Sequence, residues 1–506
     1  MELTLLLTLN AKAKTPLYQQ LYQQIRDAIL VGKLSANTRL PASRHLARTL
    51  STSRTTVVQS YDQLISEGYL QTKPGAGTFV CDQLPDDLLL TRSAPDLPAT
   101  NHITQTPQPP SRLSTYGRAL VDIPDRTFIP DCPLSFRYGI PDLSLFPTGQ
   151  WRRLLNRQAT ASTNWMDYGA EPMGHAPLRQ EIARYISEVR AVQAEPEQIL
   201  ITHGTQQALS LIVQVLMNAG EAIALENPGY LSARRIFSAH QANLIPVVTD
   251  SEGMRVNEPG GLCEATASLN QKPKLIYVTP SHQFPTGVLM SLTRRLALLH
   301  WASEHNALII EDDYDSEFRY SGRPIPALQG LDEHNRVIYT GTFSKVMFPG
   351  LRLGYAVIPS PLVAVFRQAK WLCDRQCPLI DQAALAEFIQ TEKLAAHIRR
   401  MRLIYEQRRR LLVEKLQTAV PDVVIPGDAS GLHILAKLQT QRRDRQLINR
   451  ARALGVSLFS AGEHYWPQKR DRRADLYENE LIFGFGGISQ AQIESAIARI
   501  QPLLQT

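Results

Sequence analysis

Lys345 is flanked by groups that could hold a small molecule. It follows the apolar run 337–339, with Thr342 and Ser344 just before it and Arg352 seven residues after it. A lysine amine can form an imine with a carbonyl compound, while hydroxyls and an arginine can bind a phosphate dianion. A solvent-exposed lysine is the plain alternative, but the apolar segment 349–354 argues against it.

Three consecutive acids, Glu311, Asp312 and Asp313, follow another apolar run and precede Tyr314. Carboxylates buried side by side repel one another, and their pKa values rise unless a cation lies next to them. A protonated ring nitrogen would meet that need. The run of acids therefore indicates a site for a cationic heterocycle.

A third segment, Gly204-Thr205-Gln206, follows the apolar run 199–201 and opens a helical pattern. Backbone N–H groups and a hydroxyl at a helix N-terminus favour a bound phosphate. Plain N-capping explains the same residues, so this segment is weak evidence by itself.

The elements that must position these residues are apolar runs of three to five residues that alternate with helical patterns. They are 199–201, 222–225, 244–248, 275–278, 308–310, 337–339 and 355–358. Runs without polar alternation are typical of strands covered on both faces, which predicts an α/β fold with a mostly parallel central sheet. Ligands of such sheets bind beyond the carboxyl ends of the strands, where the three segments above lie.

Together these residues resemble a pyridoxal 5'-phosphate (PLP) enzyme of aminotransferase fold type I, over about residues 133 to 500. The resemblance implies that Lys345 forms the internal aldimine, Asp312 pairs with the pyridinium nitrogen and Tyr314 hydrogen-bonds the phenolic oxygen. It implies that Tyr230 stacks on the ring, and it implies no metal ion. The residues that it implies for the phosphate are Gly204, Thr205, Gln206, Thr342, Ser344 and Arg352.

Two positions depart from that family. Phe284 stands where many aminotransferases carry an asparagine that touches the ring oxygen, with Gln283 or His282 as candidate substitutes. The C-terminal segment 480–487 has no arginine for a substrate carboxylate, and Arg234 or Arg235 could replace it. An unpaired carboxylate in a closed pocket is costly, which weighs against an ordinary amino acid as the ligand.

The first 80 residues carry nine Lys or Arg against four acids, +5 of the net +7 of the whole chain. Their pattern predicts three helices and a hairpin with a Gly-rich tip, a winged helix-turn-helix. A small helical domain for protein contacts is the alternative, but the basic excess favours a nucleic acid. The residues expected to contact DNA are Arg44, Arg54, Thr55, Thr56, Lys73 and Gly77.

Runs such as 39–44, 53–57 and 75–80 resemble a GntR-type DNA-binding domain. Joined to the aminotransferase-like part, they resemble the MocR/GabR-type subfamily of transcriptional regulators. That resemblance implies a cytoplasmic homodimer that binds double-stranded operator DNA. It would sense an amino compound or PLP through aldimine exchange at Lys345, without steady turnover. An active PLP-dependent aminotransferase with an appended DNA-binding domain is the alternative.

Composition sets the domain organisation and excludes several classes. Nine prolines between residues 85 and 133 predict a linker, so we expect domains at 1–81 and 133–506 joined by 82–132. The second domain would include a C-terminal subdomain. Hydrophobic residues make up 43% of the 506 positions, and no stretch of 18 apolar residues predicts a membrane span. Five scattered cysteines without CxxC spacing argue against a disulfide scaffold or a zinc site.

Overall fold

The computed structural model describes residues 7–85, 113–121, 123, 132–161, 167–168, 171–322, 325–427, 429–438, 444–466 and 479–505. The chain divides into two compact units, Met1–Pro109 and Pro110–Thr506. Most of the predicted linker, 82–132, lies outside the described residues.

The first unit has three helices followed by a hairpin. Its elements are α1 (Leu17–Leu30), α2 (Ser43–Thr49), α3 (Arg54–Ser66), β1 (Leu70–Lys73) and β2 (Gly77–Val80). The two strands are antiparallel, with Leu70 opposite Val80 and Lys73 opposite Gly77. This order of elements is the predicted winged helix-turn-helix.

A small apolar core holds the first unit together. Leu21 and Ile25 recur every four residues on α1 and are fully buried against Leu46 of α2 and Leu64 of α3. Ser53 caps α3, since its hydroxyl accepts the backbone N–H of Thr56 at 3.1 Å. The cap fixes the start of α3, the end that a recognition helix presents to DNA.

The second unit contains a large sheet and a smaller one. Up to the end of the large sheet its elements are α4 (Thr115–Val121), β3 (Leu134–Ser135), α5 (Thr148–Ala161), α6 (Ala176–Arg190), β4 (Ile199–Thr202), α7 (Thr205–Leu216), β5 (Ala222–Asn227), α8 (Leu231–Ala239), β6 (Asn243–Asp250), β7 (Gly253–Met254), α9 (Leu262–Ala267), β8 (Leu275–Val278), α10 (Leu292–Glu304), β9 (Leu308–Asp313), β10 (Val337–Thr342) and β11 (Gly354–Val357). Within the predicted linker, α4 thus forms a helix.

The large sheet has eight strands in the order β4-β11-β10-β9-β8-β5-β6-β7. Strands β10, β9, β8, β5 and β6 are parallel to their neighbours in this run, whereas β11 is antiparallel to both β4 and β10. The prediction of a mostly parallel sheet is confirmed. Alternate residues of one strand enter separate cores, as Tyr277 and Ile276 do on β8, so apolar runs cover both faces.

The C-terminal part adds α11 (Val363–Asp374), α12 (Leu379–Gln390), α13 (Lys393–Ala419), β12 (His433–Lys437), α14 (Asp444–Ala453), β13 (Val456–Ser457), β14 (Phe459–Ser460), β15 (Glu480–Gly484) and α15 (Gln490–Leu504). Strands β12, β15 and β14 form an antiparallel sheet, and β13 pairs with β3. Within the described ranges, no helix is long and apolar enough to cross a bilayer.

Candidate functional site

A cavity of about 240 Å³ lies at the carboxyl ends of the parallel strands. Its walls bring together all ten residues that the sequence predicts for the cofactor. They are Gly204, Thr205, Gln206, Tyr230, Asp312, Tyr314, Thr342, Ser344, Lys345 and Arg352. The structure thus collects these side chains in one place, while the role of each stays a prediction.

Lys345 presents its amine to this cavity from the turn after β10. Its Nζ donates a hydrogen bond of 2.7 Å to the carbonyl oxygen of Gly139. Gly139 has a φ of 72°, and a Cβ atom there would lie 2.9 Å from the lysine Nζ. Burial lowers the pKa of the Lys345 amine, which favours the neutral form that attacks a carbonyl carbon.

Asp312 is the buried acid of the cavity, at the end of β9. Its carboxylate accepts hydrogen bonds from the Tyr277 hydroxyl at 2.7 Å and the Thr340 hydroxyl at 3.2 Å. Burial raises the pKa of Asp312 to about 6 despite these donors. A cationic ring nitrogen beside this carboxylate would restore its ordinary ionisation.

The neighbouring acids face away from the cavity, so the expectation that all three share one cation is wrong. Successive side chains of a strand point to opposite faces. Glu311 accepts the backbone N–H groups of Leu328 and Gln329, each at 2.9 Å. Asp313 accepts the Arg190 guanidinium and the Tyr339 hydroxyl, each at 2.8 Å. Both acids are therefore part of the fold's support, and only Asp312 is available to a ligand.

A second end of the cavity is suited to a phosphate. Gly204 is the N-cap of α7 with a φ of 81°, and a Cβ atom there would lie 3.4 Å from the Arg352 guanidinium. Arg352 Nη2 donates to the carbonyl oxygen of His203 at 2.9 Å. The Thr342 and Ser344 hydroxyls lie 3.1 Å apart. A helix N-terminus, a guanidinium and two hydroxyls are the donors that a phosphate dianion takes. We refer to Gly204, Thr205, Gln206, Thr342, Ser344 and Arg352 as the phosphate cup.

Tyr314 is committed to the protein in this geometry. Its hydroxyl donates to the carbonyl oxygen of His282 at 2.8 Å and lies 3.1 Å from the His282 Nδ1 atom. The hydrogen bond predicted from Tyr314 to a ring oxygen is therefore not prepared here.

Phe284 faces the cavity, and neither proposed substitute for the missing asparagine does. Gln283 donates through Nε2 to the carbonyl oxygens of Pro228 and Phe284, at 2.8 and 2.7 Å. His282 pairs with Asp315 at 3.0 Å. Both side chains are used to fix the loop after β8, so an apolar ring occupies the position next to the predicted cofactor.

The arginines suggested for a substrate carboxylate do not line the cavity either. Arg234 donates to the backbone oxygens of Tyr465 and Glu463, at 2.9 and 2.8 Å, and lies over the Trp466 ring. Its guanidinium thus fixes the segment that follows β14. Arg235 lies on the same helix and is likewise absent from the cavity wall.

A fully buried lysine behind the phosphate cup escaped the sequence analysis. Lys370 Nζ on α11 donates to Gln207 Oε1 at 3.0 Å and to Asp374 at 2.8 Å, and lies 3.4 Å from the Cys377 sulfur. Gln207 Oε1 also accepts the backbone N–H of His203 at 2.8 Å. A single lysine on an amphipathic helix gives no sequence signal for such a role.

In the first unit, the residues predicted for DNA lie on two features. Arg54 and Thr55 are exposed in the first turn of α3, with Thr56 half-buried beside them, and Arg44 is exposed on α2. The Thr56 hydroxyl lies 2.8 Å from the capping Ser53 hydroxyl.

Lys73 and Gly77 pair across the hairpin, which forms the wing. Lys73 is exposed and its Nζ lies 5.1 Å from the centre of the Phe79 ring. Gly77 has a φ of 116°, and a Cβ atom there would lie 3.1 Å from Arg39 Nε. The tip therefore presents a cation on a tight turn that favours glycine.

Comparisons with known families match the two parts separately. Residues 17–80 match the bacterial regulatory proteins of the gntR family, and residues 141–457 match the class I and II aminotransferases. These matches agree with the two units of the structure.

Several regulators are similar to nearly the whole chain. The uncharacterized HTH-type transcriptional regulator YdeL of Bacillus subtilis is 35% identical over 97% of this chain and 98% of its own. The probable rhizopine catabolism regulatory protein MocR of Rhizobium meliloti is 35% identical, over 97% and 94%. The pyridoxine biosynthesis regulator PdxR of Corynebacterium glutamicum is 32% identical, over 98% and 97%.

Solved aminotransferases share the fold of the larger unit. The kynurenine aminotransferase of Pyrococcus horikoshii, 28% identical, matches with a TM-score of 0.67 over 78% of this chain and 95% of its own. A multiple substrate aminotransferase of Thermococcus profundus, 27% identical, matches with a TM-score of 0.69 over 78% and 97%.

Proposed function

The chain belongs to the MocR type of gntR-family transcriptional regulators, in which a gntR domain is joined to an aminotransferase class I and II domain, and from this premise we propose how it works. Residues 1–81 bind double-stranded operator DNA, residues 133–506 bind PLP and an amino compound, and residues 82–132 connect them. Operator DNA places the protein in the cytoplasm. Because paired half-sites suit a two-fold dimer, the active form is a homodimer.

The observation that supports PLP is that one cavity wall holds an amine, a buried acid and a phosphate cup. When bound, PLP supplies an aldehyde carbon that bonds reversibly to amines and a ring nitrogen that can be protonated. Lys345 would hold the aldehyde carbon, and Asp312 would keep the ring nitrogen protonated. The phosphate cup would orient the molecule, since its donors point to one end of the cavity.

The ligand that is sensed is an amino compound, or PLP itself. An amino compound competes with the Lys345 amine for the same carbon, so its binding is covalent and reversible. A ligand changes DNA binding only if it binds one conformation better than another. The proposed response is a change in the spacing of the two DNA-binding domains of the dimer.

Replacing Lys345 tests this function. Lys345→Ala should abolish the visible absorbance of lysine-bound PLP, leave DNA binding by residues 1–81 intact, and remove the response of DNA binding to amines. Lys274→Ala is the matched control, because Lys274 is exposed and pairs with Glu221 at 3.2 Å on the far side of the sheet's strand ends. DNA affinity is measured at fixed salt on a fragment selected from a random pool by the protein.

Two results would overturn the proposal. A Lys345→Ala variant that responds to amines as the parent does would remove Lys345 from sensing. Steady production of a keto acid from an amino donor, with 2-oxoglutarate as acceptor, would make the chain an aminotransferase instead.

A further inference from the structure

The cavity offers few charged groups, and each is already engaged. Among the described residues that line it, the lysine and arginine are Lys345 and Arg352, and the acids are Asp312 and Asp315. Arg352 belongs to the phosphate cup, and Lys345 is the amine that the cofactor takes. Asp315 is buried between His282 Nδ1, at 3.0 Å, and the backbone N–H of Leu432, at 3.1 Å.

Two histidines also line the cavity, and their contacts are those of neutral rings. His433 Nε2 lies 3.2 Å from the carbonyl oxygen of Pro285, and burial lowers the pKa of His433 to about 3. His464 Nδ1 lies 3.3 Å from the carbonyl oxygen of Gly229, and its Nε2 lies 3.4 Å from the Tyr138 hydroxyl. A neutral imidazole that donates through one nitrogen and accepts through the other satisfies both contacts of His464.

The wall next to these histidines is aromatic and apolar. The Phe284 ring centre lies 4.9 Å from that of His464 and 5.3 Å from that of His433. Behind Phe284, Ile482 of β15 and Leu435 of β12 form a buried cluster with it. Arg137 comes one residue before the wall residue Tyr138, but its side chain is exposed and it is not among the residues that line the cavity.

From this distribution we infer that the effector is a primary amine that carries no carboxylate on the carbon next to its nitrogen. This inference rests on the proposed sensing function and specifies its ligand. A carboxylate on that carbon would enter a wall of Phe284 and neutral histidines, with the buried Asp315 close by. Placing an unpaired anion there costs several kcal/mol, roughly. An uncharged, apolar substituent would instead pack against the same wall.

Matched pairs of compounds test the inference in the full-length, PLP-loaded protein. One pair is 2-phenylethylamine and phenylalanine, and the other is butylamine and 2-aminopentanoic acid; within each pair only the carboxylate differs. Visible absorbance and affinity for the selected DNA fragment are both recorded, at concentrations expressed as unprotonated amine. We expect each amine to act at a concentration roughly tenfold or more below that of its amino acid.

The outcomes separate the inference from the function it rests on. An amino acid that acts at the same concentration as its amine, or at a lower one, would overturn the inference and leave amine sensing in place. If none of the four compounds changes absorbance or DNA affinity in protein that holds PLP, amine sensing itself is wrong and the inference falls with it.

A charge added to the wall gives an independent measurement. Phe284→Arg places a guanidinium beside the histidines and should move the preference towards the amino acids by about tenfold, whereas Phe284→Leu should keep the preference for amines. An arginine variant that keeps PLP absorbance and still prefers amines would contradict the inference. If that variant does not retain PLP, the matched pairs in the parent protein decide.

Discussion

The Tyr277 hydroxyl lies 2.7 Å from Oδ2 of Asp312, so a side chain of β8 orients the acid at the end of β9. Thr340 of β10 contacts the other oxygen at 3.2 Å and stands opposite Asp312 in the parallel register. Three neighbouring strands therefore fix the carboxylate before any ligand binds. Such preorganisation favours a ligand whose cation must meet the acid in one direction.

The raised pKa of Asp312 predicts how cofactor-free protein responds to pH. The pKa rises from 3.8 to about 6 through burial, so between about pH 4 and pH 6 the folded state holds a proton that the unfolded state has lost. The free energy of unfolding therefore falls as pH rises through this window, by about 3 kcal/mol from this group. PLP bound with a protonated ring nitrogen removes the penalty, so its stabilising effect should grow from pH 4.5 to pH 7.

Thermal unfolding of cofactor-free and PLP-loaded protein across that range measures the effect. Asp312→Asn is the control, because an amide does not titrate, and it isolates Asp312 from other buried acids such as Glu226 and Glu317. Parent and variant curves that run parallel would show that Asp312 does not titrate in this window.

Gly139→Ala should displace the lysine amine. The added Cβ atom would lie 2.9 Å from Lys345 Nζ, at a residue with φ of 72° that L side chains rarely adopt. We expect PLP affinity to fall by about tenfold or more while DNA binding is kept. Gly220→Ala is matched in strain, since φ is 84° there and a Cβ atom meets nothing within 4 Å. Equal loss of PLP in both variants would assign the effect to backbone strain alone.

The strand order of the site was predictable because apolar runs mark buried strands and ligands gather at their ends. The facing of the acids was not. Side chains of Glu311, Asp312 and Asp313 alternate between faces, and sequence does not reveal which face of β9 borders the cavity. The same limit applies to Gln283, whose amide is spent on the backbone of its own loop.

Partners far apart in the chain were missed for a different reason. Tyr277 stands within an apolar strand, where a tyrosine is typical of a core, and Gly139 lies 206 positions before Lys345. Their roles depend on strand register and on the packing of the segment after β3. The first unit was easier to predict, since local periodicity and the Ser53 cap specify α1 and α3.

Arg54→Ala should weaken DNA binding without changing the PLP spectrum. Arg54 is exposed in the first turn of α3, the position from which a recognition helix reaches the major groove. Loss of one base or phosphate contact costs about 1 to 3 kcal/mol, so affinity for the selected fragment should fall roughly tenfold or more at fixed salt. Lys33→Ala, an exposed cation after α1, is the control. Unchanged affinity for the Arg54 variant would remove Arg54 from the DNA-binding surface.

Lys370 supports the phosphate cup through a chain of contacts, and its removal should weaken both fold and cofactor binding. Its ammonium donates to Gln207 Oε1, which also accepts the backbone N–H of His203, whose carbonyl oxygen accepts Arg352. Lys370→Met keeps the volume but leaves Asp374 without the ammonium.

We expect the free energy of unfolding of Lys370→Met to fall by about 3 kcal/mol, because a buried ion pair loses one partner. PLP affinity should fall as well, since His203 and Arg352 lose their support. Chemical denaturation gives the first value and absorbance titration the second. Lys274→Met removes an exposed pair worth about 1 kcal/mol or less and should leave PLP affinity unchanged. A Lys370 variant that loses stability but binds PLP as the parent does would confine Lys370 to a structural role, since the cup would then keep its geometry without the lysine.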